Sequence, residues 1–146
     1  MSEADDEASM SAEGYGRSLS GFGVNLLVSD VSRAVEFQRD VLSVRVVHQN
    51  PDFAVMQHGD HQWMLHGDHT YREHPLLAVT GDGAMRGAGC ELRLYDVDPD
   101  QAEARARAAG MPVLAASADK PHGLRECFLV DHHGYVWVPG LAKLES

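Results

Sequence analysis

The chain has 146 residues and a formal net charge of −10, a length suited to one domain or to two small halves that share a core. Asp and Glu outnumber Lys and Arg by 22 to 12, and no basic cluster is interleaved with aromatics, so nucleic acid and anionic membranes are disfavoured as partners. A small molecule or a second copy of the chain remains.

Met1 to about Ser20 carries Glu3, Asp5, Asp6, Glu7 and Glu13 among Ser, Ala and Gly, with no apolar period. Such a segment cannot offset its ordering entropy by burial, which predicts a disordered acidic tail over 1–20. It lacks the basic start and apolar middle of a secretory signal, and no run approaches the roughly 18 apolar residues of a membrane span. The expected location is the cytoplasm.

Alternation over Phe22 to Val28 predicts the first strand, and Asp30 is placed to cap a helix on which Ala34, Val35, Phe37, Val41 and Leu42 share one side. Arg45–Gln49, Phe53–Gln57 and Gln62–His66 read as three further strands, separated by Asn50-Pro51 and His58-Gly59-Asp60. Residues 68–88 form a linker rich in Gly, Pro, His and Asp, with a short strand or turn expected at Leu76–Thr80. Its GDGAMRGAG stretch lacks the Lys-Ser/Thr end of a phosphate loop and reads as flexible. Gly89–Tyr95 begins a second unit, in which Asp98 or a neighbour caps a helix from about Pro99 that Gly110 ends. Val113–Ala116 is the next strand. The run PHGLRECFLVDHHGYVWVP closes the chain as a β-hairpin turning at Asp131–Gly134.

The two units are copies. Placing Trp63 over Trp137 sets Val55 over Leu129 and Phe53 over Cys127 without a gap; upstream, Asp30 falls on Asp96 and, after one inserted residue, Ser43 on Gly110. A repeat of strand, helix and three strands fixes the fold before any single residue is interpreted. Cys90 and Cys127 both fall in expected strands, as small buried hydrophobes rather than a disulfide pair. Mid-strand, Cys127 suits an inert thiol better than a nucleophile.

VSDVSRAVEFQRDVLS, ELRLYDVDPDQAEARARAAG and PHGLRECFLVDHHGYVWV together resemble the vicinal oxygen chelate superfamily of glyoxalases, bleomycin-resistance proteins, fosfomycin-resistance enzymes and extradiol dioxygenases. The resemblance runs from about Gly21 to Gly140. It implies an α+β fold of two βαβββ modules, over 21–67 and 89–141 of a single domain 21–141, whose mixed sheets curl around a cup-shaped cavity. It also implies a homodimer, since the family's modules often pair between chains. The sequence departs from the pattern at Gln38, Ser43, His132 and His133, which bear on helix packing and turn shape.

In the metal-dependent members the resemblance places ligands on the cup side of the first and fourth strands of each module. Here those positions are Gly23, Met64, Gly89 and Val138, none of which offers the imidazole, carboxylate or thiolate that a divalent ion needs. No HExxH or CxxC spacing stands in their place. The nine histidines crowd into expected turns and read mainly as solvent-exposed residues of the rim.

Strand parity turns Asn25, Gln62, Met64, His66, Glu91, Val136 and Val138 inward, with His122 in the loop before the closing hairpin, and turns Trp63 and Trp137 toward the helices. These eight form the expected ligand site. By resemblance to the bleomycin-resistance members, the expected function is metal-free binding of a small molecule between the modules, with no cofactor. The alternative is a lyase, isomerase or dioxygenase that holds Fe, Mn, Ni or Zn through inward groups such as His66 and Glu91.

Overall fold

The structure, a computed structural model, describes residues 11–71, 73–81 and 83–143. Its elements are α1 (Ala12–Ser18), β1 (Asn25–Val28), α2 (Val31–Asp40), β2 (Arg45–Gln49), β3 (Phe53–His58), β4 (His61–Gly67), β5 (Glu91–Tyr95), α3 (Pro99–Ala108), β6 (Val113–Asp119), β7 (Leu124–Val130) and β8 (Val136–Ala142), with 3-10 turns at Asp68–Thr70 and Pro75–Val79. The strands make two four-stranded sheets in the orders β1-β4-β3-β2 and β5-β8-β7-β6. In each sheet the first strand runs parallel to the fourth and the other neighbours are antiparallel. This is the expected α+β pair of βαβββ modules, with unclosed sheets.

Local chemistry explains the helices. Asp30 accepts from the Arg33 amide and starts α2, whose Val31, Ala34, Val35, Phe37 and Gln38 are buried against the sheet. Burying the larger apolar side chains contributes roughly 1.5–3 kcal/mol each. In module two the cap is Asp98, which accepts from the amides of Asp100 and Gln101. Asp96, the repeat partner of Asp30, instead takes a left-handed turn at φ 64°. Ala102 and Ala106 are fully buried and bring α3 close to its sheet, whereas Ala109 is exposed just past its end. Ser43 and Gly110 occupy matching left-handed positions, φ 60° and 72°, so the repeat holds in backbone conformation after the helices but not at Asp30 and Asp96 before them.

Both helices and the helix-facing sides of both sheets feed one hydrophobic core. Trp63 and Trp137 lie on that side, as parity predicts. The far sides of the two sheets therefore face away from the shared core.

Three expectations need correction. Met1–Met10 lie outside the described residues, but Ala12–Ser18, expected without structure, is helical, because Ser11 caps it through the Gly14 amide and Tyr15 finds an aromatic partner. The linker is not free: the Gly87 amide donates to Gly134 and the Arg86 amide to His133. A Cβ on Gly87 would lie 2.8 Å from the Tyr135 Cα, so glycine is what allows this docking. Arg86 holds Asp68 with both terminal nitrogens and donates to the Leu27 and Thr80 carbonyls. Finally, Cys90, expected as a buried strand residue, is exposed just before β5. Leu76 to Val79 forms part of a 3-10 turn, one of the two forms expected there. Among the described residues, no helix is long and apolar enough to cross a membrane.

Candidate functional site

A cavity of about 770 Å³ lies on the outward face of module one, with α1 across it. The register of the β3–β4 hairpin sets Val55 opposite Met64 and Phe53 opposite His66, which builds a floor of alternating apolar and aromatic side chains. A β-bulge between Val46 and His48 shifts the register of β2, and both Val47 and His48 line the cavity. That is a usual effect of a bulge next to a site.

The rings form a continuous series. Tyr15 of α1 meets Phe53 edge to face at 6.1 Å between centroids, and His48 and His66 flank Phe53 at 5.9 and 4.7 Å. Tyr71 follows His66 at 5.6 Å, and His74 follows Tyr71 at 4.6 Å. Burial holds the His66 imidazole below its ordinary pKa, and His74 nearby adds to the effect, so this ring stays neutral over more of the pH range.

The polar groups here are already partnered. His66 Nδ1 bonds to Asn25 Oδ1, whose amide nitrogen reaches the Tyr71 hydroxyl at 3.5 Å. Asp52 pairs with His69 at 2.6 Å, and Asn50 Nδ2 lies 3.3 Å from His48 Nε2. The Tyr15 hydroxyl is the exception: it is shut off from solvent and has no hydrogen-bond partner.

Of the residues expected to form the site, Gln62, Met64 and His66 line this cavity, and Asn25 supports His66 from the neighbouring strand. Glu91, His122, Val136 and Val138 do not line it. Module two has a polar cluster instead. Arg93 joins Glu91 to the buried Glu126, and His122 lies 3.5 Å from the same carboxylate. The physical reason for the division is the shared core, which puts the two outward faces on separate modules rather than around one space. Asn25 and Glu91 were expected to be equivalent in the repeat, but Asn25 pairs with Met64 whereas Val138, the counterpart of Met64, pairs with Arg93. Asn25 and Glu91 are each committed to an intramodular partner.

The four family metal positions do not supply a donor set. Gly23 and Gly89 are exposed, and a Cβ at either would meet nothing within 4 Å; Met64 and Val138 offer a thioether and an alkyl group. Among the described residues no three His, Cys, Asp or Glu side chains are grouped so as to hold an ion. The residues present do not fit the family's metal. Cys127 is buried, its thiol pushed up to about 11 by burial, as an inert core residue should be.

Sequence reasoning missed Tyr15, His48, Phe53 and Tyr71. Phe53 was within reach, because the turn at His58-Gly59-Asp60 dictates the register that places it across from His66. Tyr15 carried no signal, since an isolated aromatic in an acidic segment shows no period. His133 was also misjudged as a rim residue. It is buried, and its Nε2 accepts from the Asp30 amide and bonds to the Ser29 hydroxyl.

No curated relative matches the chain by sequence. Solved structures do match in fold. TioX from Micromonospora sp. ML1 shares 23% identity at a TM-score of 0.61, covering 87% of this chain and 99% of its own. A glyoxalase-related enzyme from Fulvimarina pelagi shares 18% at 0.65, covering 84% and 88%. The genomically encoded fosfomycin resistance protein FosX from Listeria monocytogenes shares 11% at 0.60, covering 86% and 96%. At these identities the likeness establishes the fold alone. The profile of the glyoxalase, bleomycin resistance protein and dioxygenase superfamily matches residues 23–138, and the chain belongs to that superfamily.

Proposed function

We propose that the protein binds a flat, largely apolar small molecule in the module-one cavity, without a resident metal and without converting it. The observation that carries this reading is the ring-lined cavity of about 770 Å³, within the usual range of roughly 300–1,000 Å³ for small-molecule sites. Met64 and Val55 supply apolar wall between the rings. Of these, Met64 is the adaptable one. The bonds that tie His66 to Asn25 and Asp52 to His69 suit a rigid wall better than an acid or base awaiting substrate. Family membership is compatible with this reading, and the donor chemistry at Gly23, Met64, Gly89 and Val138 favours it over a metal-dependent reaction.

The proposal extends to a homodimer in the cytoplasm. Both sheets end in open edge strands, and β6, one of them, exposes Leu114 at 62%, which association would cover. Both cysteines are free, as suits a reducing compartment.

The test is a calorimetric titration with a panel of planar aromatic compounds, on the unaltered chain and on Phe53→Ala. Binding by the first and its loss in the second is expected. Chelator-treated protein is then titrated with Mn, Fe, Ni or Zn. Stoichiometric uptake that disappears in His66→Ala would overturn the metal-free reading.

A further inference from the structure

We propose that α1 is a movable cover of the module-one cavity, and that Tyr15 is the side chain with which it grips a flat ligand bearing a hydrogen-bond acceptor. The inference rests on the ligand-binding reading above and adds to it a mode of entry, a contact residue and a ligand class.

The first argument is energetic. A seven-residue helix is far too short to persist alone in water, so α1 must be held by what it touches. Yet none of its residues is buried. Its aromatic anchor is the edge-to-face contact of Tyr15 on Phe53. Docking also encloses the Tyr15 hydroxyl without a partner, and a buried unsatisfied group counts against the state that buries it. The closed position is therefore weakly held, in the low-stability class from which lids are drawn.

The second argument is geometric. α1 lies across the cavity rather than beside it: Ser11, Ala12, Tyr15, Gly16, Ser18 and Leu19 all contribute to its wall. A ligand that enters must pass them or move them. Between α1 and β1 the chain runs through Gly21, in a left-handed conformation at φ 74°, and Gly23, both with open space around them. Those are the places where a backbone can swing with little steric resistance. The helix also lies outside residues 23–138, the part that matches the superfamily.

The third argument identifies the ligand. In the described position the Tyr15 hydroxyl is shut off from the cavity as well as from solvent, so it gains a partner only when α1 shifts and closes again on a molecule that brings an acceptor. The ring beneath it, Phe53, calls for a flat partner. A planar aromatic carrying a carbonyl, amide or similar acceptor meets both needs.

The experiment uses the full chain, unaltered and as Tyr15→Phe and Tyr15→Ala, with prodan, a neutral naphthyl ketone whose fluorescence reports an apolar environment. Amide exchange over Ala12–Ser18 is followed without the dye, with exchange in β3 and β4 as a control for global stability. Removing the orphan hydroxyl in Tyr15→Phe should slow exchange in α1 by about fivefold while weakening prodan binding by about fivefold, each the worth of one hydrogen bond. Tyr15→Ala should free α1 to exchange as an open segment and weaken prodan further. A merely structural tyrosine would move exchange and affinity in the same direction. Unchanged or tighter prodan binding in Tyr15→Phe, or exchange in α1 indifferent to both substitutions, overturns the proposal. If the unaltered chain fails to bind prodan while the exchange pattern appears as expected, the mobility of α1 stands. In that case the grip, and the ligand-binding reading beneath it, fall.

Discussion

Trp63 and Trp137, equivalent residues of the two modules, meet with ring centroids 5.8 Å apart at the junction of the two sheets. Their indole nitrogens are satisfied differently. Trp63 donates to Gln38 of α2, whereas Trp137 donates to Asp131 in its own closing turn. The repeat therefore fixes where the rings lie, and each module solves the polar problem with what its sequence offers. Because this pair joins the modules through their helix-facing sides, the outward face of module one, across which α1 lies, takes no part in the shared core.

The Gln38–Trp63 bond is buried, with Gln38 1% exposed and its amide nitrogen without a partner. Gln38→Met should strand the indole N–H and cost about 1–3 kcal/mol, while adding Trp63→Phe to it should cost less than the two single changes combined. Urea unfolding of the four chains measures the coupling. Strict additivity would show that the bond contributes nothing.

Asp131 holds the closing turn. One carboxylate oxygen accepts from the amides of His133 and Tyr135, and the other from Trp137. Asp131→Asn keeps an acceptor for the amides but turns an NH₂ toward the indole N–H, so a loss of about 1–3 kcal/mol is expected. Asp131→Ala should lose more. Thermal melts that leave Asp131→Asn unchanged would contradict the assignment.

The fold was legible because its signals are local and doubled. Asp30 before an apolar-periodic run, glycines at Gly59 and Gly134, and alternating Val, Leu and Trp each occur in a form that the second copy checks. The site was legible only in part. Parity found Gln62, Met64 and His66, since a strand's two faces are set by period alone. It could not say that Val138 is buried or that Glu91 belongs to a separate polar cluster of module two, because that depends on how the modules dock. Docking is set by long-range contacts such as Tyr135 donating to the Leu27 carbonyl, and no short window contains both residues.

Ser43 offers a stabilising substitution. It occupies a left-handed conformation at φ 60°, where its repeat partner is Gly110, and it is exposed, with only a 3.4 Å contact from Arg105. Ser43→Gly removes the steric cost of a Cβ there, which should outweigh the added freedom of the unfolded chain, for a gain of about 0.5–1 kcal/mol. The reverse change, Gly110→Ser, should destabilise by a similar amount. Chemical denaturation of both variants checks the pair, and a loss on Ser43→Gly would mean that the Arg105 contact matters more than the backbone.

The pH dependence of stability should trace to His133 and His66. Burial lowers the pKa of His133, opposed by Asp131 and Asp68 and reinforced by Arg86 and His132, while its Nε2 accepts from the Asp30 amide and so resists protonation. His66 shifts the same way through burial and His74. In the unfolded chain both imidazoles return to about 6.5. As pH falls through that value the unfolded state takes up protons that the folded state refuses, so stability is full above it and declines below, by at most about 1.4 kcal/mol per pH unit for each group. Carboxylates do not protonate appreciably until lower pH, which leaves the window from roughly pH 6.5 to 5 to the histidines. Urea unfolding across that window should show the decline, and His133→Gln, which keeps an acceptor for the Asp30 amide, should remove its share. A flat profile, or one that rises toward acid, would show that neither ring is held neutral by the fold.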